Sequence, residues 1–186
     1  MAQIRPSMFA AGFVERRDLE QYVWTRTTVQ QLLRALEHFK DPCCLATPSL
    51  AHGMWQEGRT ERLLDIDRRF EYLPGFKYWD LRAPEPVSAC SGHSFQVVVF
   101  DPPFFYVPMH QLHAAVMQVC QGDASTKIMI GFLRREEPAL LSVFSAFKLK
   151  RTAFVLEYAT VKPNKWQNYA LYSNVDLPGI KRLKAG

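Results

Sequence analysis

The sequence predicts an α/β domain with a mainly parallel sheet, helices on both faces and an antiparallel hairpin at its C-terminal edge. Four short apolar segments, 43–47, 62–66, 76–81 and 95–101, read as buried strands, each ending near an acid, a proline or a small polar residue. Stretches with apolar residues three and four apart lie before and between the strands, which implies helices covering a parallel sheet. Two late strand-like segments, 152–158 and 168–173, have no helical pattern between them and predict the hairpin.

Residues 27–39 place Val29, Leu32, Leu33, Leu36 and Phe39 on one helical face, with Thr27 or Thr28 able to cap the first turn. The strand at 43–47 runs into Thr47-Pro48-Ser49 rather than a glycine-rich turn, so the dinucleotide-binding fingerprint is absent. The strands at 62–66 and 76–81 follow, then the valine-rich strand at 95–101. Residues 108–121 repeat the amphipathic pattern, 127–133 read as a further strand, and 136–144 as a short helix.

At 186 residues, 48% apolar and 13% aromatic, the chain is long and apolar enough for one cored domain, set at 21–186 behind an N-terminal extension, 1–20. Disorder, collagen and repeat arrays are excluded. The longest apolar stretch, near 95–107, is broken by Asp101 and two prolines and falls short of the roughly 20 residues of a membrane helix, so no membrane partner is expected. Cys43, Cys44, Cys90 and Cys120 form no C-x-x-C pair, which speaks against a zinc module and for reduced thiols in an intracellular compartment, cytoplasmic or mitochondrial. Among the histidines His52, His93, His110 and His113, only the last two share a helix, and their spacing without a third ligand predicts no metal site. No G-x-S-x-G elbow supports hydrolysis. A net charge of +5 fits an acidic partner such as RNA and equally fits simple solubility.

Ligands of such sheets sit outside the carboxyl ends of the strands. Asp65 and Asp67 close the second strand, where an acid can accept both hydrogen bonds of a ribose diol or simply face Arg68 and Arg69 in solvent. Asp80 ends the third strand, placed to accept from an adenine amine or to serve as a turn acid before Pro84. The fourth strand delivers Asp101-Pro102-Pro103-Phe104. Two prolines stiffen that loop and leave the Pro102 carbonyl without a ladder partner, beside the Asp101 carboxylate. Two such acceptors would hold the two N–H donors of a planar amine and aim its lone pair at an electrophilic methyl group, while Phe104 stacks on the attached ring.

At these residues the chain resembles class I S-adenosylmethionine-dependent methyltransferases that carry the [DNS]-PP-[FYW] motif and methylate nitrogen. Within them it is similar to the eukaryotic N-6-adenine-methyltransferase-like group, which holds a CCHC-zinc-containing ribosomal RNA adenine methyltransferase and elongation-factor lysine methyltransferases. The matching pieces are QYVWTRTT from Gln21, TPSLAHGM from Thr47, LLDIDRRFEYL from Leu63, FKYWDL from Phe76 and FQVVVFDPPF from Phe95. The resemblance implies a Rossmann-like class I fold and S-adenosylmethionine as cofactor. It implies that Thr47, Pro48 and Ser49 replace the glycine loop, that Asp65 or Asp67 takes the ribose, and that Asp80 lies near the cofactor's adenine. Trp24 and Thr25 would close over the cofactor, and Asp101, Pro102, Pro103 and Phe104 would form the transfer site, Asp101 also touching the cofactor. Phe105 and Tyr106 depart from the small residues that follow the motif in the RNA enzyme, and would narrow the pocket or add stacking. The zinc modules of that enzyme have no counterpart here.

Lys165 and Trp166, in the connection between the last two strands, are expected to touch substrate, with Arg68-Arg69, Lys148-Lys150-Arg151 and the tail Lys181-Arg182-Lys184 as further basic surface. The expected reaction is methylation of an adenine exocyclic amine in RNA, ribosomal RNA first. Lysine methylation of a protein substrate, or a non-catalytic RNA-binding or ribosome-assembly role, are the competing readings. A partner protein for target recognition fits all three.

Overall fold

The central strands are apolar on both sides, so they must be covered on both sides. The computed structural model describes residues 8–9, 13–85 and 95–184, which leaves Cys90 and His93 outside the described residues. Seven strands form one sheet: β1 (Pro42–Leu45), β2 (Leu63–Asp65), β3 (Phe76–Tyr78), β4 (Val97–Phe100), β5 (Lys127–Leu133), β6 (Lys150–Arg151) and β7 (Tyr169–Ser173). Their order is β3-β2-β1-β4-β5-β7-β6, parallel from β3 to β5 and antiparallel at β5–β7 and β7–β6. The mainly parallel Rossmann-like sheet is therefore present.

Among the described residues four α-helices cover it: α1 (Arg26–Ala35), α2 (Pro48–Gln56), α3 (Met109–Val119) and α4 (Glu137–Val143). Cys44, Val97, Val99 and Met129 pack with Leu32 and Leu33 of α1 and with Leu50 and Met54 of α2. Cys43, Leu45, Val98, Phe100 and Ile130 pack with Leu112 and Val116 of α3 and Leu140 of α4. The two-residue alternation along β1, β4 and β5 sends side chains to opposite faces, as a sheet buried on both sides requires.

Several local expectations need correction. The cap of α1 is Thr25, whose hydroxyl accepts from the Thr28 amide at 3.3 Å, not Thr27 or Thr28. That helix stops at Ala35 because the Arg59 guanidinium binds the Leu33 and Leu36 carbonyls at its end, both at 2.9 Å. Residues 48–56, which the sequence reading assigns to no helix, form α2, with Pro48 supplying a fixed φ at the helix start. The strand expected at 152–158 is absent apart from single bridges at Thr152 and Tyr158, and the strand that pairs with β7 is β6, Lys150–Arg151, just before it. Beyond Thr152 the chain leaves the sheet because Glu157 bonds to α1 instead: its amide donates to the Thr28 hydroxyl and its carbonyl accepts from the Thr25 amide.

The sheet order reverses between β1 and β4, where the connections of the two halves run in opposite directions. A crevice is expected at that switch point, outside the carboxyl ends. Leu45, Phe100 and Ile130 are in register across β1, β4 and β5, so Ala46, Asp101 and Gly131 come next along the three strands.

Candidate active site at the strand ends

The crevice exists. It is walled by Ala46 and Pro48 after β1, Asp65 and Ile66 at the end of β2, Trp79 to Arg82 after β3, and Asp101 to Phe104 with Tyr106 and Val107 after β4. The empty space inside, including its open mouth, is about 880 Å³. Two wall residues other than glycine sit in the left-handed region, Glu20 at φ 50° and Ala46 at φ 52°. Left-handed backbone costs an L-residue with a Cβ about 1 kcal/mol. Ala46→Gly is thus expected to raise stability by about 0.5–1 kcal/mol in urea unfolding; a lower stability would show that the turn is not strained.

A strap of Asp18 to Tyr22 crosses the crevice and is tied at both sides. On the β4 side the Glu20 carboxylate accepts from three consecutive amides, Phe104 at 2.9 Å, Phe105 at 2.8 Å and Tyr106 at 2.6 Å. Those amides form a concave donor array that fits an anionic oxygen. On the β2 side the Gln21 amide donates to Asp67 at 2.9 Å while its carbonyl accepts from Arg69 at 3.0 Å. The strap continues inward: Glu15 is buried and accepts from the Val23 amide. Within the stretch 13–20, Glu15 is buried and Asp18, Leu19 and Glu20 line the crevice.

Asp101 is fixed from behind. Its Oδ1 accepts from the Tyr158 hydroxyl at 2.9 Å, and no described residue donates to Oδ2. The carboxyl fits only because its neighbour on β5 is glycine: a Cβ at Gly131 would stand 2.6 Å from Asp101 Oδ1, 3.1 Å from Leu156 Cδ1 and 3.4 Å from the Tyr158 hydroxyl. Burial raises the Asp101 carboxyl well above its ordinary range, and the Tyr158 hydrogen bond pulls it partly back. Tyr158 stays a donor, since burial and the neighbouring Asp101 both raise its own pKa. Phe104 meets Phe132 edge to face at 5.3 Å and Tyr169 at 5.7 Å, which sets the ring beside the crevice.

The structure separates the two acids of β2. Asp65 lines the crevice, whereas Asp67 is spent on the strap, bound by Arg69 and Gln21 and only 1% exposed. Asp65 Oδ1 accepts from the Asp67 amide at 2.8 Å. Burial nonetheless pushes the Asp65 carboxyl up to about 7. A carboxyl that holds its proton to higher pH in the folded state gives full stability below pH ~4 and loses it as pH rises through about 7. Asp65→Asn is therefore expected to raise the Tm of the ligand-free protein at pH 8 and to leave it nearly unchanged at pH 4. Asp80 also lines the crevice, but Arg82 holds both of its oxygens, at 3.1 and 2.9 Å, and keeps its pKa low.

Other expected site residues stand elsewhere. Trp24 does not close over the crevice; it is buried beneath the strap and bridges to Tyr158, while Thr25 is occupied as the α1 cap and by Glu157. Thr47 and Ser49 are buried, Thr47 pointing its hydroxyl at the Val99 carbonyl, so Pro48 alone of that turn reaches the crevice. The Trp166 indole donates to the Tyr158 and Val161 carbonyls, and neither Lys165 nor Trp166 lines the crevice or the cleft beside it. Their neighbours Gln167, Asn168 and Tyr169 line a second, more open cleft with Tyr22, Phe104, Phe105, Leu133, Arg134, Arg135 and Arg151. Phe105 and Tyr106 are 67% and 60% exposed, Tyr106 on the crevice and Phe105 on the second cleft. Sequence reasoning missed Glu20, Gln21, Gly131, Tyr158 and the Arg134-Arg135 pair.

Of the histidines, His52 is buried and shares a 2.6 Å contact between its Nδ1 and the Tyr72 hydroxyl, and His113 packs edge-on against Phe144. Among the described residues no three His, Cys, Asp or Glu side chains cluster as metal ligands. No helix among them is long and apolar enough to cross a membrane.

Among known families, the one described as probable N6-adenine methyltransferase matches residues 15–177, a span that takes in the strap and runs past β7. Among curated proteins none matches the chain.

Proposed function

The chain belongs to the probable N6-adenine methyltransferase family, and on that premise we propose that it transfers a methyl group from S-adenosylmethionine to the exocyclic amine of adenine in RNA. The observation that carries this reading is the Asp101 carboxyl, anchored through Oδ1 by Tyr158 and facing the crevice beside Pro102, Pro103 and Phe104.

The residues present fit the cofactor. Asp65 offers a carboxylate to the ribose diol, Trp79 to Leu81 flank the space for its adenine, and Ala46 and Pro48 line the space left for the methionine part. Bound there, the cofactor supplies an electrophilic methyl group. Asp101 Oδ2 and the Pro102 carbonyl accept the two N–H bonds of the target amine and direct its lone pair, so catalysis is largely positioning. Phe104 supports the base. Burial makes the ionised Asp101 more basic than an ordinary carboxylate, which suits it to accept the proton that the amine sheds on methylation.

Calorimetric titration of S-adenosylhomocysteine tests this reading. The wild type is expected to bind in the micromolar range, roughly 8 kcal/mol, with affinity rising as pH passes through about 7 and Asp65 ionises. Asp65→Asn keeps the acceptor for the Asp67 amide but turns a donor toward the diol, and is expected to weaken binding by at least about tenfold. No binding by the folded wild type contradicts the reading.

A further inference from the structure

The second cleft adjoins the crevice and shares the Tyr22 and Phe104 rings with it. Arg134 and Arg135 follow β5 directly, at the same sheet edge that carries Asp101. Gly131 is next in register to Asp101, so Arg134 stands three residues further along, roughly 10 Å at strand spacing. That span is comparable with the reach from a purine's exocyclic amine to a nearby backbone phosphate.

Both arginines are exposed and loosely engaged. Arg134 touches the Gln167 carbonyl at 3.4 Å and Arg135 approaches Glu136 at 3.7 Å, whereas Arg151 is held at 3.5 Å by Glu137. The Arg135 guanidinium lies 5.5 Å from the exposed Phe105 ring. Planar guanidiniums bind phosphate oxygens in pairs, and an exposed aromatic beside them gives a base a stacking surface. The two acids at the rim, Glu136 and Glu137, do not line the cleft. A lysine side chain would have to bring its ammonium past the same two guanidiniums, a like-charge approach that costs affinity.

Resting on the adenine reading above, we propose that this cleft is a nucleotide-binding subsite: Arg134 and Arg135 hold the backbone phosphate next to the target adenosine, and Phe105 stacks a neighbouring base of single-stranded RNA. Single-stranded substrate follows from the depth of Asp101, since a base paired within a duplex cannot reach it without leaving the stack.

The test uses a fluorescein-labelled single-stranded adenine-containing 12-mer RNA with the full chain, in binding and in methylation. The pair Arg134→Ala, Arg135→Ala is expected to bind it at least tenfold more weakly at low salt. The log–log salt slope should fall by about 0.7 for each phosphate that is no longer neutralised. S-adenosylhomocysteine affinity stays at the wild-type value, which also reports an intact fold, and the methylation loss falls on KM rather than kcat. The charge-conserving pair Arg134→Lys, Arg135→Lys is expected to recover the salt slope. Unchanged affinity and slope, in a protein that still methylates the RNA, overturn the subsite and leave the adenine reading standing. A wild type that binds S-adenosylhomocysteine and methylates a lysine peptide but no RNA overturns the adenine reading, and the subsite with it.

Discussion

Replacing Asp101 by alanine is expected to lower kcat by 10³-fold or more while S-adenosylhomocysteine binding stays within a few-fold of wild type. The substitution removes the acceptor that orients the amine and the base that takes its proton, effects worth about 10²–10⁴-fold each where they have been separated. It also removes a carboxyl whose pKa burial raises, so the stability of the variant relative to wild type should increase as pH rises. Loss of stability together with activity would mean that Asp101 serves the fold. Tyr158→Phe provides the graded comparison: the carboxyl remains but loses its anchor, and kcat should fall about tenfold to a hundredfold with little change in cofactor affinity.

Gly131→Ala is expected to cost nearly as much as losing Asp101 itself. The added methyl would overlap Asp101 Oδ1 at 2.6 Å, and the wall behind it is the packed Leu156 and Tyr158 pair, which has little room to retreat. The easiest adjustment is rotation of the Asp101 carboxyl away from Tyr158, which breaks the 2.9 Å hydrogen bond and re-aims Oδ2. The expected readout is a kcat loss of about 10²-fold or more with KM for S-adenosylmethionine nearly unchanged, since misplacement of about 1 Å costs this much in a positioned reaction. Wild-type kcat in a folded Gly131→Ala protein would show that the carboxyl need not be held where it stands.

The elements legible in the sequence are those whose pattern is local. Runs such as Val97 to Phe100 announce a strand covered on both faces, and the acids at strand ends mark the crevice before any coordinates. The α2 helix went unassigned because its nine residues hold a proline and a glycine, although proline at the first turn is compatible with a helix and Gly53 packs close against Val29 and Leu33. The apolar run within 152–158 reads as a strand, yet Glu157 spends its backbone on α1, a tertiary pairing more than 120 residues away in sequence. The same distance hid the site's supports. Glu20 meets the Phe104 amide across 84 residues, and Tyr158 meets Asp101 across 57, with no local pattern to mark either. Gly131 in a strand was the one available signal, because an internal strand glycine often marks close approach by another group.

Nucleoside mass spectrometry of single-stranded RNA incubated with the protein and methyl-labelled S-adenosylmethionine tests the central claim most directly. The account predicts labelled N6-methyladenosine with the wild type and none above background with Asp101→Ala. Label on any other atom, or no label from a wild type that binds S-adenosylhomocysteine, would contradict it.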